Sequence, residues 1–271
     1  MEVYAAMIHE VDQNVGRLVD HLKQKGEYDD TVFIFFSDNG AESQIPENIM
    51  PGSHREWIER AFDNSLDNMG KQGSYIGYGP SWALVSQTPF RMVKGYTYEG
   101  GIRSPAFISY PGWKAGQRLD QFVHITDIAP TLLDLAGASA PSQRDGVELA
   151  QMTGHSLLPW LEGRAEVARP QDKPVCTELF GRASVWKDGW KMVHSNKPWG
   201  TGDFELFDIK VDPTEQRDLA LSEPAKLAEL KADWADCQER FGIHWNAGLA
   251  PQMFYSSHTE YLFQPRRAAA N

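Results

Sequence analysis

Cysteine is almost absent: the chain has two among its 271 residues, Cys176 and Cys237. They form no CxxC pair and match no zinc-ligand spacing, which leaves one disulfide open without requiring it. No apolar run approaches the ~18 residues of a membrane span. The opening "MEVYAAMIHEVD" lacks a signal-peptide pattern and enters a helical one almost at once. A positive excess is lacking too. The formal net charge is −11, and phosphate backbones call for a basic face, so nucleic acid is not an expected partner. A small anionic substrate stays open, because a few local cations dominate inside a cleft. Low-complexity tracts are also missing. With 41% hydrophobic and 23% charged residues, the chain has the composition of an ordered protein with a sizeable core.

What is present reads as α/β. From Val3 the apolar residues Met7, Val11, Val15, Leu18, Val19 and Leu22 recur every three to four positions, predicting one buried helix face that Gly26 ends. After "EYDD", the run "TVFIFF" is apolar on both faces, as in an interior strand of a helix-covered parallel or mixed sheet. Residues 41–88 read as a long irregular loop of lid or binding type, with "REWIERAF" its only helical piece. "PAFISY" predicts another strand, and "HITDIAPTLLDLAGA" a compact helix capped by Asp127, with Pro130 in its first turn and Gly137 at its end. Near residues 166–174 the pattern changes. "ASVWK-DG-WKMVH" is a hairpin with a two-residue Asp188-Gly189 turn, "FELFDI" a third strand and "PVCTELF" a fourth. A helix from Ser222 carries a stripe at Leu227, Leu230, Trp234, Cys237 and Phe241. The expected organisation is therefore an α/β core over 1–172, a smaller antiparallel sheet with one covering helix over 173–243, and a surface tail over 244–271.

Several residues can carry chemistry. Asp38 and Asn39 end the strand "FIFFSDNG", at the sheet edge where open α/β folds bind ligands. Their side-chain oxygens suit a hard cation, and Gly40 would let the backbone turn away sharply. Asp, Asn and Gly are equally the residues of a plain strand-ending turn. Lys94, in "RMVKGYTYEGG", is placed either to clamp an oxyanion or to lie on a loop surface. Glu99 and Arg103 read as an ion pair fixing the Gly-Gly turn. His124 reads as a ligand, a general acid or a packed side chain bonded to backbone. His9 reads as solvent-facing, and His54 carries no assignment.

Four blocks in order, "TVFIFFSDNGAE", "KGYTYEGGIRSPAFISYPG", "HITDIAPTLLDLAG" and "WKDGWKMV…FELFDIKVDPTEQRDLA", resemble the sulfatases. The likeness is to the bacterial arylsulfatase branch of the alkaline phosphatase superfamily, over residues 2–245. It implies a sulfuric ester hydrolase in which Asp38 and Asn39 bind one calcium ion and Lys94 holds the sulfate of a small ester. Here Val93 stands before that lysine, where the family has glycine, and the glycine follows. The resemblance also implies a formylglycine made from a Cys/Ser-x-Pro-x-Arg motif, two further Asp ligands and a Lys/His group, all before the first helix. None is in this chain. "SEPAK", residues 222–226, comes nearest, but Ser222 reads as a helix cap and Pro224 as first-turn proline. The chain is thus expected to be the C-terminal part of a sulfatase, its first strand left with an edge to be covered by self-association or by the missing N-terminal portion. Two other readings stay open: a non-catalytic remnant or anion- and metal-binding module, and a phosphoester or phosphonate hydrolase. Against the last, such relatives usually carry His where this chain has Asn39. Tyr75, Tyr78 and Trp82 are candidates to stack on an aryl leaving group or to pack as a lid. The natural ester and the compartment carry no signal.

Overall fold

The computed structural model describes residues 1–46, 53–111, 113 and 115–246. In chain order the elements are α1 (Glu2–Lys25), β1 (Phe33–Phe36), α2 (Ser53–Ala61), α3 (Gly79–Gln87), α4 (Glu99–Ile102), β2 (Ala106–Ser109), α5 (Ile128–Leu135), β3 (Gln143–Arg144), β4 (Val147–Glu148), α6 (Leu158–Leu161), β5 (Val175–Leu179), β6 (Arg182–Lys187), β7 (Trp190–His194), β8 (Phe204–Asp208) and α7 (Pro224–Phe241). They form two units. One comprises Met1–Gly26, Phe35–Phe107 and the chain from Pro174, the other Glu27–Ile34 and Ile108–Lys173. The tail expected over 244–271 lies, from residue 247, outside the described residues.

The first unit is organised by the antiparallel sheet β5-β6-β7-β8. The β6–β7 hairpin turns on Asp188 (φ 49°) and Gly189 (φ 79°), the paired positive angles of a type I′ turn that matches strand twist. Side chains alternate across the sheet. Ala183, Val185, Met192 and Leu206 face α7, where they pack with Leu230, Trp234 and Cys237. Val193 and Phe207, on the opposite face, pack with Ala83, Met92, Val93, Tyr96, Tyr98 and Trp199. The segment that carries Lys94 is therefore built onto the back of the sheet.

Cys237 is on the α7 stripe as read, and it forms a disulfide with Cys176 of β5, 61 residues away in sequence. This settles the pairing that the spacing left open and ties the helix to the sheet edge. The cap of α7 differs from expectation. The N-cap is Glu223, without a side-chain cap bond, while the Ser222 hydroxyl donates to the Leu219 carbonyl at 3.2 Å. With Pro224 as the first helical residue, Ser222 falls one position too early and closes the preceding turn instead.

Two further expectations are corrected. The α1 stripe is not buried: Met7 is 63% exposed and Leu18 53%, and no residue of α1 is buried. Its start does pack, with Tyr4 stacked on Tyr78 at 5.1 Å. The helix closes as read on Gly26 (φ 69°), whose N–H reaches the Leu22 and Lys23 carbonyls. Strand β1 pairs with β2 in a two-stranded sheet and leaves Phe35 and Phe36 exposed, with Phe35 stacked on Phe107 at 5.2 Å. Consecutive strand residues point to opposite faces, so each face of β1 carries one exposed ring, where the sequence predicted burial on both. In the 41–88 region the structure adds α3, opened by Gly79-Pro80, to the helix read at α2. Tyr75 packs with Trp57 and Phe62.

In the second unit Asp127 does not cap α5 with its side chain. Its carboxylate turns back to accept the His124 and His155 amides, at 2.8 and 2.9 Å, and pairs with buried Arg169 at 3.0 Å. His124 is half-buried: its Nδ1 meets the Thr126 hydroxyl at 2.9 Å and accepts the Thr126 amide at 3.4 Å, and burial pushes its pKa down.

The disulfide has a direct test. Closing a loop of this length typically adds about 2–4 kcal/mol. Reductant, or Cys237→Ser, should lower the thermal midpoint of the chain by several degrees, read by circular dichroism. An identical melt with and without reductant would show unpaired sulfurs.

Candidate functional site

The turn after β1 is held by backbone. The Ser37 amide donates to the Pro105 carbonyl at 3.1 Å and the Gly40 amide to the Gly101 carbonyl at 2.9 Å, while the Ser104 hydroxyl donates to the Ser37 carbonyl at 2.6 Å. The chain bends at residues 38–40 as expected, and Gly40 is required for a second reason. A β-carbon there would collide with the Gly100 carbonyl, and one on Gly100 or Gly101 would strike the backbone of Arg91–Met92 or of Val93 and Tyr96. Three stretches of chain thus meet with no room for side chains between them. The packing brings the strand end Asp38-Asn39 and the Lys94 loop into one backbone assembly. Asp38 is exposed and Asn39 half-buried.

Lys94 sits in a β-turn closed by the Tyr96 amide on the Val93 carbonyl at 3.2 Å. Gly95 has φ 89°, the positive angle that a type II turn reserves for glycine at its third position. This explains why glycine follows the lysine here. The Lys94 amide donates to the Ala41 carbonyl at 3.1 Å, and its ammonium pairs with Glu42 at 2.9 Å. Both ends of that pair are nearly half exposed. Such pairs contribute about 0–1 kcal/mol.

Behind the loop lies a buried charge network. The Lys191 ammonium, on β7, is 2.8 Å from Glu99 and 2.9 Å from Glu215. Glu215 also accepts the Glu99 amide at 2.7 Å. Burial pushes the Glu215 pKa up. Burial alone would lower that of Lys191, but Glu215 and Glu99 raise it overall. Alongside, Arg91 pairs with Glu205 of β8 at 3.2 Å and lies over the Tyr98 ring. The Tyr98 hydroxyl donates to Glu205, and burial together with Glu205 drives its pKa far up. Glu99 and Arg103 form the expected pair, at 3.4 Å, though Lys191 is the closer partner of Glu99.

Residues 1–138 match the family described as Sulfatase. The chain belongs to the sulfatase family. Residues 91–237 also match the family described as N-sulphoglucosamine sulphohydrolase, C-terminal. Among relatives, an uncharacterized sulfatase of Schizosaccharomyces pombe is 37% identical over 98% of this chain and 47% of its own length. An arylsulfatase of Klebsiella aerogenes is 37% identical over 58% of this chain and 34% of its own. In fold, the chain is similar to the solved structure of Ps i-CgsB in complex with k-i-k-neocarrahexaose. The TM-score is 0.60 at 24% identity, over 95% of this chain and 46% of that one. This sulfatase chain spans about a third to a half of the length of these relatives.

Sulfatases generally use a divalent metal. Among the described residues no three His, Cys, Asp or Glu side chains gather as a metal site. The Asp38 carboxylate and Asn39 amide offer two oxygen donors of the kind a hard cation takes, in a turn tied by backbone amides and by the Ser37 and Ser104 hydroxyls. The sequence reading names Asp38, Asn39 and Lys94 as candidates and does not include the buried charges Lys191, Glu205 and Glu215 behind them. A signal for them exists, since Lys191 and Glu205 are in phase with Val193 and Phe207 on a buried strand face.

Removing Lys191 should therefore be severe. Lys191→Met leaves buried carboxylates without their cation and is expected to cost about 3–5 kcal/mol in urea denaturation. Adding Glu215→Gln should recover part of the loss. Wild-type unfolding of the single variant would show that the network contributes nothing.

Proposed function

We propose that this chain carries part of the active site of a sulfuric ester hydrolase of arylsulfatase type, in which Lys94 binds the sulfate group and Asp38 and Asn39 hold calcium. The observation that supports this most directly is the backbone assembly of Gly40, Gly100, Gly101 and the Lys94 turn. It joins a pair of oxygen donors to a lysine held in a fixed turn. Lys94 would exchange Glu42 for a sulfate oxygen and stabilise charge developing on the departing oxygen. Calcium, when bound, would supply positive charge against the sulfate oxygens. The nucleophile and remaining ligands are proposed to come from residues outside this chain, whose docking would cover the exposed apolar residues of α1 and β1. The substrate is a small sulfate ester.

Two measurements on the protein at its natural length test the assignment. Calcium should raise the thermal midpoint, and Asp38→Asn should abolish the rise; a rise that survives the substitution removes Asp38 from the site. Separately, Lys94→Ala should lower turnover of an aryl sulfate by about two orders of magnitude or more, as loss of an oxyanion contact commonly does. Near wild-type turnover would reduce Lys94 to a packing role.

A further inference from the structure

Arg182, the first residue of β6, is 1% exposed. It points to the same side of the sheet as Ser184, away from α7, because Ala183 and Val185 take the α7 side. Its guanidinium donates to the Gly95 carbonyl at 2.5 Å and lies 4.2 Å over the centre of the Tyr96 ring, which is itself fully buried. One residue on, the Ala183 carbonyl accepts the Thr97 hydroxyl at 3.2 Å. The Lys94 turn is therefore gripped from two directions. In front, the Lys94 amide is fixed to Ala41; behind, the next carbonyl and the next ring are fixed to Arg182.

We infer that Arg182 is a positioning residue, holding the Gly95 carbonyl and Tyr96 ring so that the Lys94 ammonium is presented at the strand end. This rests on the reading of Lys94 as the sulfate-binding lysine. A planar guanidinium suits the task, since it can donate in its plane to a carbonyl while stacking its face on a ring. A lysine keeps the charge but loses the fork. Moreover, a burial this complete is costly for a charge unless the partners are fixed, so the carbonyl and ring are held as firmly as the arginine.

The test has two parts. In the first, hydrogen exchange is measured on the 271-residue chain and its Arg182→Met variant. The Lys94 and Tyr96 amides should exchange about tenfold faster or more in the variant, with the β7–β8 amides unchanged. In the second, the protein at natural length is assayed with an aryl sulfate in a cycle of Arg182→Met, Lys94→Ala and the double variant. Arg182→Met alone should reduce kcat/KM by about tenfold or more, and should cause no further loss once Lys94 is gone. Unchanged exchange at residues 94–96 overturns the inference, as does an equal fold-loss in the Lys94→Ala background. If the methionine variant does not fold, Arg182→Lys gives the same readouts with intermediate values expected. Wild-type turnover of Lys94→Ala would instead overturn the functional reading, while the exchange result would still decide whether Arg182 sets the turn.

Discussion

A single buried ammonium fixes the back of the site. Lys191 projects from β7 between Glu99 and Glu215, with its side chain 1% exposed. One of these carboxylates opens α4, and the other lies in the turn after β8. A buried lysine between two fixed carboxylates tolerates little displacement, since any movement leaves a desolvated charge unmatched. Through Glu99 the constraint reaches Gly100 and Gly101, and through them Gly40. The position of the strand end thus depends on a cation three segments away. Arg91 and Tyr98, meeting on Glu205, repeat the arrangement at the other end of the same loop.

The glycines and the charges are two halves of one design. Charges set where segment 91–101 lies on the sheet, and glycines let the strand end approach it at backbone distance. The ion pairs add to the apolar packing of Met92, Val93, Tyr96 and Tyr98 against the sheet, and with a side chain at Gly40 or Gly100 the strand end cannot reach the loop. The small antiparallel sheet is then more than an appendage. Its α7 face makes an apolar core closed by a disulfide, and its other face is the wall on which the candidate sulfate-binding turn is built.

How much of this the sequence discloses follows from the range of each signal. The β6–β7 hairpin was legible because Asp188-Gly189 encodes its own turn, and the α7 stripe because Leu230, Trp234 and Cys237 recur at helical spacing. Asp38, Asn39 and Lys94 were legible as residues and through family resemblance, but not as an assembly. The second role of Gly40 is not legible in sequence because a close approach is a property of two distant segments, whereas turn propensity is local. Asp127 was misread for a similar reason. Its carboxylate had a local role available at α5, yet a buried arginine 42 residues on and the His155 amide offered stronger partners. The α1 stripe and β1 show the converse case: periodicity announces a face meant for burial, and the described residues leave it exposed.

The charged groups of the first unit separate into two kinds, and the separation bears on function. Lys191, Glu215, Glu205 and Arg182 are almost fully removed from water, where exchanging partners would be prohibitive. Lys94 and Glu42 are nearly half exposed, where an ion pair is weak and readily replaced. The sulfate-binding role proposed for Lys94 calls for this second condition, together with a turn that keeps its place. The Lys94 ammonium is nearly half exposed, while the turn that carries it lies against the buried guanidinium of Arg182. On the proposal that Lys94 binds sulfate, Glu42 is the partner that the sulfate would displace.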